Sequence, residues 1–212
     1  MSTVLVLGAT SPTAQVFIRL LQQDYPTVNL KFFVRNLKKL PKDLRDYPTI
    51  VANADDYSAY VEAVKGVDYI YNAIGGLNTG MATPYLLKAI AETKTPIKHI
   101  VDISAGGIYG EFLSGKSPRL SAVRTMYPEY TQDQLNKVQY FEASGIDFTI
   151  FRPGLIKNGP ETQVITHTPE YRAIGPDEFN INRTTFARAA VNAMFNDAYH
   201  NQSVSVSNGA PL

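Results

Sequence analysis

The feature that most limits what this chain can fold into is a strand–turn–helix at its very start. Val4-Leu5-Val6-Leu7 is a short run of Val and Leu, apolar at every position, which fits a strand buried on both faces. Gly8-Ala9-Thr10-Ser11-Pro12-Thr13-Ala14 follows, and helical periodicity runs from Thr13 to Gln23. Gly8 stands where a tight turn leaves the strand. Ser11-Pro12 reads as a helix start: a hydroxyl cap, then a residue whose missing N–H is no loss at the first helical position. The Thr13 N–H and the Thr10 and Ser11 hydroxyls then lie at the positive end of the helix, where phosphate is received. The spacing of Gly8, Ser11 and Ala14 follows the dinucleotide fingerprint with two of its three glycines replaced. Ala14 is still small enough for helix to pack on strand. A capped helix with no ligand is the alternative, but a second strand follows at the distance that a binding unit needs.

The rest of the chain continues the alternation. Further strands are expected at Leu30–Val34, Thr49–Val51, Tyr69–Tyr71, Ile97–Ser104, Phe148–Phe151 and Ser203–Val206, and helices at Ser58–Val64, Thr83–Glu92, Gln132–Ala143 and Thr184–Phe195. The expected class is α/β: a Rossmann-type, doubly wound, mainly parallel sheet of about seven strands with helices on both faces. A length of 212 residues suits one domain, 1–212. Two stretches interrupt the pattern. Residues 106–129 are rich in Gly, Ser, Pro and Tyr, and 157–182 carries five turn-formers around a candidate strand at Gln163–His167. Both follow strand ends, so they are expected to supply a small lid over a substrate.

Composition excludes several functions. There is no cysteine, so thiolate metal sites and cysteine nucleophiles are out. The three histidines, His99, His167 and His200, show no ligand spacing, and no metal is expected. Net charge is +1, and the nearest thing to a basic patch is Lys31, Arg35, Lys38 and Lys39, which fits one phosphate better than a duplex. No nucleic-acid partner is expected. No apolar run approaches the roughly 20 residues of a membrane span, and no charged leader precedes the first strand, so a cytoplasmic protein without a membrane partner is expected.

The second strand ends in Arg35-Asn36 rather than Asp or Glu. An acidic residue there would accept from the ribose hydroxyls of NAD, whereas a guanidinium suits a 2′-phosphate and can stack on adenine. NADP(H) is therefore favoured over NAD(H). Lys38 and Lys39 read as a solvated face.

Several landmarks in order resemble the atypical short-chain dehydrogenase/reductases, in particular the compact NAD(P)H-binding group around biliverdin reductase B and the NmrA-like proteins. They are Gly8-Ala9-Thr10, Val34-Arg35-Asn36, Ala63–Asp68, Asn72-Ala73-Ile74-Gly75-Gly76, Ile103-Ser104-Ala105 with Tyr109-Gly110, and the run Ser144–Gly154. The resemblance covers nearly the whole chain. It implies that Asn53 and Ala54 lie beside adenine, with Asn53 in a slot usually held by Asp. It implies that Ala73, Ile74 and Gly75 line the ribose and pyrophosphate channel. Pro153, Gly154 and Leu155 would form the wall near the nicotinamide.

The wider superfamily reduces carbonyls with Ser, Tyr and Lys, the last two four apart on one helical face. The Tyr slot falls on Tyr130 and the Lys slot on Gln134, which can bond a ribose but carries no charge. Tyr130 is then expected to keep a pKa near its ordinary value of about 10. The serine slot is Ser104 or Ala105. Lys137, one turn beyond Gln134, reads as a solvated lysine, with substitution for the missing cation as the alternative. Tyr109, Tyr127 and Tyr140 read as packing or rim residues. With an incomplete triad, the expectation is an NADPH-dependent reductase that passes hydride to a flat conjugated acceptor such as a flavin, a quinone or a similar carbonyl, whose proton comes from water. The other reading is a non-catalytic NADP(H)-sensing protein of the NmrA type. Homo-oligomers are common in the superfamily, although no helix pair here demands one.

Overall fold

A computed structural model describes residues 1–76, 81–111, 127–173, 178, 180–196 and 198–212. Eight strands form one sheet: β1 (Thr3–Leu7), β2 (Asn29–Val34), β3 (Thr49–Val51), β4 (Tyr69–Asn72), β5 (His99–Ile103), β6 (Phe148–Pro153), β8 (Thr162–His167) and β10 (Gln202–Pro211). β7 (Ile156–Lys157) and β9 (Ile181–Asn182) pair separately. The helices are α1 (Pro12–Asp24), α2 (Tyr57–Ala63), α3 (Ala82–Thr93), α4 (Pro128–Ser144) and α5 (Arg183–Phe195).

The sheet order is β3-β2-β1-β4-β5-β6-β10-β8, parallel throughout except for β8, which runs antiparallel to β10. This is the expected doubly wound fold, with the candidate strand at Gln163–His167 adding an eighth member at the edge. The β1 run is apolar at every position because its alternate residues enter two cores. Val4 and Val6 pack with α1 and α5, while Leu5 and Leu7 pack with α2, α3 and α4. The order reverses between β1 and β4, so their C-terminal turns open a crevice, the place where open α/β sheets hold ligands.

Two expectations change. α4 begins at Pro128, four residues before the expected Gln132, with Pro128 in its first turn and Glu129 beside it. Proline needs no partner for a missing N–H there, and the carboxylate favours the helix N-terminus. Tyr130 is thus inside the first turn, and the irregular stretch expected to reach residue 129 ends sooner. Of the expected lid, 112–126, 174–177 and 179 lie outside the described residues. Within the described part of 157–182, β8 belongs to the main sheet rather than to a loop.

Lys31 also departs from the basic cluster assigned to it. Its ammonium donates to the carbonyls of Glu62 (2.9 Å) and Lys65 (3.4 Å), at the C-terminal end of α2. A cation is favourable there because those carbonyls have no partner within the helix. Among the described residues, no helix is long and apolar enough to cross a membrane.

Candidate functional site

Two cavities share the turn after β4. The first, about 430 Å³, is lined by Gly8, Thr10 and Ser11 after β1, Phe33, Val34 and Arg35 at the end of β2, Asn53, Ala54 and Asp55 after β3, and Ala73–Gly75. The second, about 250 Å³, continues from Ala73–Gly76 to Ile103, Ser104 and Ala105 after β5, Tyr130 and Gln134 on α4, and Pro153, Gly154 and Ile156 after β6. Together they make one groove along the C-terminal ends of six parallel strands.

The turn after β1 is built as its residues suggest. Gly8 has φ +73°, and a Cβ there would lie 2.7 Å from the Ala73 carbonyl oxygen. Only glycine allows the β1 and β4 turns to meet so closely. Ser11 caps α1: its Oγ accepts from the Ala14 N–H at 3.1 Å, and Thr10 is steadied by Gln15 Nε2, which donates to its carbonyl at 3.2 Å. Pro12 and Thr13, both expected at the cofactor, are not among the residues that line the cavity, Pro12 being exposed and Thr13 buried in the first turn. Any part they play is through that turn's backbone and cap.

Arg35 is exposed at the rim of the first cavity. Asn36 caps the 3₁₀ turn Leu37–Lys39 by accepting from the Lys38 N–H at 2.9 Å, which explains the Asn after Arg35. Lys38 and Lys39 are exposed and do not line the cavity, as expected of a solvated face. Asp55 is a lining residue that the sequence reading missed. It adjoins Asp56, whose carboxylate is spent capping α2 by accepting from the Ala59 N–H.

At the other end, Ser104 is 7 % exposed, and its Oγ has no hydrogen-bond partner among the described residues. A buried hydroxyl without a partner beside a cavity is suited to a ligand oxygen. Gln134 is buried and Tyr130 half-buried against the same space. Leu155 is 46 % exposed, and Ile156 takes the wall position expected for it. Alternation along the chain after Gly154 turns one side chain out and the next in.

The chemistry of α4 differs from the expectation in two respects. Burial pushes the Tyr130 phenol above its ordinary value, so it is a weaker acid than an exposed tyrosine. Lys137 is not solvated. Its ammonium is buried, donating to Asp102 Oδ1 at 2.7 Å and to the Ile103 carbonyl at 3.0 Å. Asp102 on β5 is fully buried; burial drives its carboxyl upward, against the opposing pull of Lys137 and Asn72. The positive charge near Tyr130 is therefore neutralised by a partner of its own. Tyr127 and Tyr140 are exposed, and neither lines the groove.

The donor set and the glycine cradle fit a dinucleotide laid across the switch point, its phosphates against Gly8–Ser11. The model of the NAD(P)H-binding family matches residues 8–197. The chain belongs to this family. Among curated protein sequences none matches it. Its fold is shared with a short-chain dehydrogenase/reductase from Veillonella parvula DSM 2008, solved in complex with NADP, at a TM-score of 0.77 and 19 % identity over 98 % of this chain and 94 % of that one. A Rossmann-fold NAD(P)-binding family protein from Shigella flexneri aligns at 0.75 and 18 % identity, over 100 % and 98 % of the two chains. ChuY, an anaerobillin reductase from Escherichia coli O157:H7, aligns at 0.77 and 14 % identity over 98 % and 97 %. At these identities the likeness is one of fold alone.

Proposed function

We propose that this protein is an NADPH-dependent reductase that delivers hydride to a flat, conjugated acceptor such as a flavin or a quinone. The observation that carries the reading is the composition of the second cavity, lined by the Ser104 hydroxyl, the Tyr130 phenol and the Gln134 carboxamide with no charged side chain among the described residues. Arg35 at the far rim would hold the 2′-phosphate, Thr10 and Ser11 the pyrophosphate, and Asn53, Ala54 and Asp55 the adenine side. Gln134 and Ser104 would orient the ribose and carboxamide end against Pro153 and Gly154. The bound cofactor supplies the hydride. Tyr130, with its phenol raised by burial and no free cation beside it among the described residues, is poorly placed to drive proton transfer to a simple carbonyl. A conjugated acceptor takes its proton from water, so it suits this site.

A second reading has one observation in its favour. The pairing of Lys137 with Asp102 removes the charge that a Tyr–Lys pair would use, as expected of an NADP(H)-sensing protein without turnover. The two readings separate in one assay. Purified protein and NADPH are mixed with flavin mononucleotide, a quinone and a diaryl carbonyl while the reduced nicotinamide band is followed. Oxidation with the first two, and little with the third, is the expected result; tight NADPH binding with no oxidation above background establishes the sensor instead. Tyr130→Phe should change the flavin or quinone rate by less than about threefold, since general acid catalysis by a side chain contributes on the order of 100-fold where it operates. Arg35→Glu should weaken NADPH at least about tenfold and reverse the preference toward NADH. Unchanged ratios of the two dissociation constants would remove Arg35 from the phosphate site.

A further inference from the structure

Lys137 lies three residues beyond Gln134 and seven beyond Tyr130, on the same face of α4, yet it does not line the groove, its ammonium being held by Asp102. The hydrogen bonds that it begins do not stop at Asp102. The second carboxylate oxygen, Oδ2, accepts from Asn72 Nδ2 at 2.6 Å, and Asn72 Oδ1 accepts from the Ile74 N–H at 3.1 Å. That last bond closes an Asx turn over Asn72–Ile74. The Ala73 N–H is held in turn by the Leu7 carbonyl at 2.9 Å, and the Ala73 carbonyl oxygen is what a Cβ on Gly8 would strike.

We propose that Lys137, Asp102 and Asn72 form one relay that sets the direction of the Asn72 carboxamide, holds the Ala73–Ile74 turn against Gly8, and so shapes the floor of the groove. Lys137 is then a positioning residue. The inference rests on the cofactor reading above for its functional consequence, though not for its geometry.

The argument is one of donors and acceptors. An ionised carboxylate only accepts, so Asn72 must turn its NH₂ toward Asp102. Its carbonyl oxygen is then left for the Ile74 N–H. Without the ammonium, a carboxyl buried this completely takes up a proton and becomes able to donate. The Asn72 carboxamide loses its imposed direction, and its reversed form sets NH₂ against N–H at Ile74. A charge on α4 thereby decides a hydrogen bond at the end of β4. Ala73, Ile74 and Gly75 line both cavities, so the relay joins the helix carrying Tyr130 and Gln134 to the phosphate-binding turn.

The test is a double-mutant cycle on the full chain, with NADPH affinity read by fluorescence and Ile74 amide exchange by NMR. Asn72→Ala and Lys137→Met should each raise the NADPH dissociation constant about tenfold, as for one ordered hydrogen bond. The double variant should be no worse than about twofold beyond the weaker single, because both act through one bond, whereas Arg35→Glu should add independently to Asn72→Ala. Ile74 exchange should quicken at least about tenfold in both singles. If Lys137→Met does not fold, Asp102→Asn replaces it, since that side chain can donate as well as accept at nearly the same size. Additive losses, or wild-type Ile74 exchange in the charge variant, would overturn the relay. If wild-type protein binds neither NADPH nor NADH, the cofactor reading falls, and Ile74 exchange alone decides the relay.

Discussion

Gly8→Ala is expected to abolish measurable NADPH binding and to lower the melting temperature by on the order of 10 °C. The residue has φ +73°, and a left-handed backbone costs a non-glycine residue about 1–2 kcal/mol. The larger effect is steric. The new methyl group would lie 2.7 Å from the Ala73 carbonyl oxygen, 2.9 Å from its carbon and 3.0 Å from the Ile74 nitrogen. All three are backbone atoms, so no rotamer can relieve the contact, and the β1 and β4 turns must separate. Overpacking of this kind adds about 1–3 kcal/mol, and each kcal/mol is worth roughly 2–4 °C in a chain of this size. The same separation spoils the turn on which phosphate would rest. Isothermal titration with NADPH, alongside a thermal melt, checks both parts. A variant that binds NADPH as the wild type does would show that the turn is not the phosphate site.

The second large effect concerns stability. Glu111 and Arg152 form an ion pair with both side chains fully buried. Glu111 also accepts from the Tyr109 N–H at 2.9 Å and the Ser205 hydroxyl at 3.1 Å, while the Arg152 guanidinium lies 4.6 Å from the Tyr109 ring centre. Glu111→Ala strands a guanidinium that cannot shed its proton, and breaking a buried pair from one side costs about 3–5 kcal/mol. Thermal unfolding should fall by on the order of 10 °C. Removing both charges, with Glu111→Leu and Arg152→Met together, should recover part of that loss, because no buried charge is then left uncompensated, although the Tyr109 N–H and the Ser205 hydroxyl lose their acceptor. A single variant within about 1 kcal/mol of wild type, or a double variant no better than the single, would contradict the account. This pair anchors residues 106–111, the segment that leaves the second cavity, to β6 and β10. It therefore fixes one end of the stretch expected to form a lid.

How much of this was legible beforehand depends on the range of the interactions involved. The β1–α1 unit could be read residue by residue, since Gly8, Ser11 and Pro12 act on their immediate neighbours. Arg35 was legible for the same reason: strand length and direction place it at the end of β2, beside the turn after β1. The start of α4 was missed although Pro128-Glu129 signals it, because the surrounding Ser, Pro and Tyr residues suggested a loop. Ile156 rather than Leu155 faces the groove because strand alternation after Gly154 has a phase that neighbouring residues do not announce.

Lys137 is the clearest case of the opposite kind. Helical periodicity puts it on the face of Tyr130 and Gln134, but whether that face meets water or a carboxylate depends on Asp102, 35 residues away in the chain. Ser205 and Ser207 are similar: Ser–Val alternation marks one polar face on β10, and only packing reveals that Glu111, Arg152 and His167 cover it. Local rules in the sequence determined the doubly wound sheet, the capped glycine turn after β1 and the basic residue beside it, because turns, caps and apolar periods act over a few residues. The tertiary structure alone decided which charges are neutralised inside and which reach the groove, because a buried charge is set by a partner brought to it from another strand.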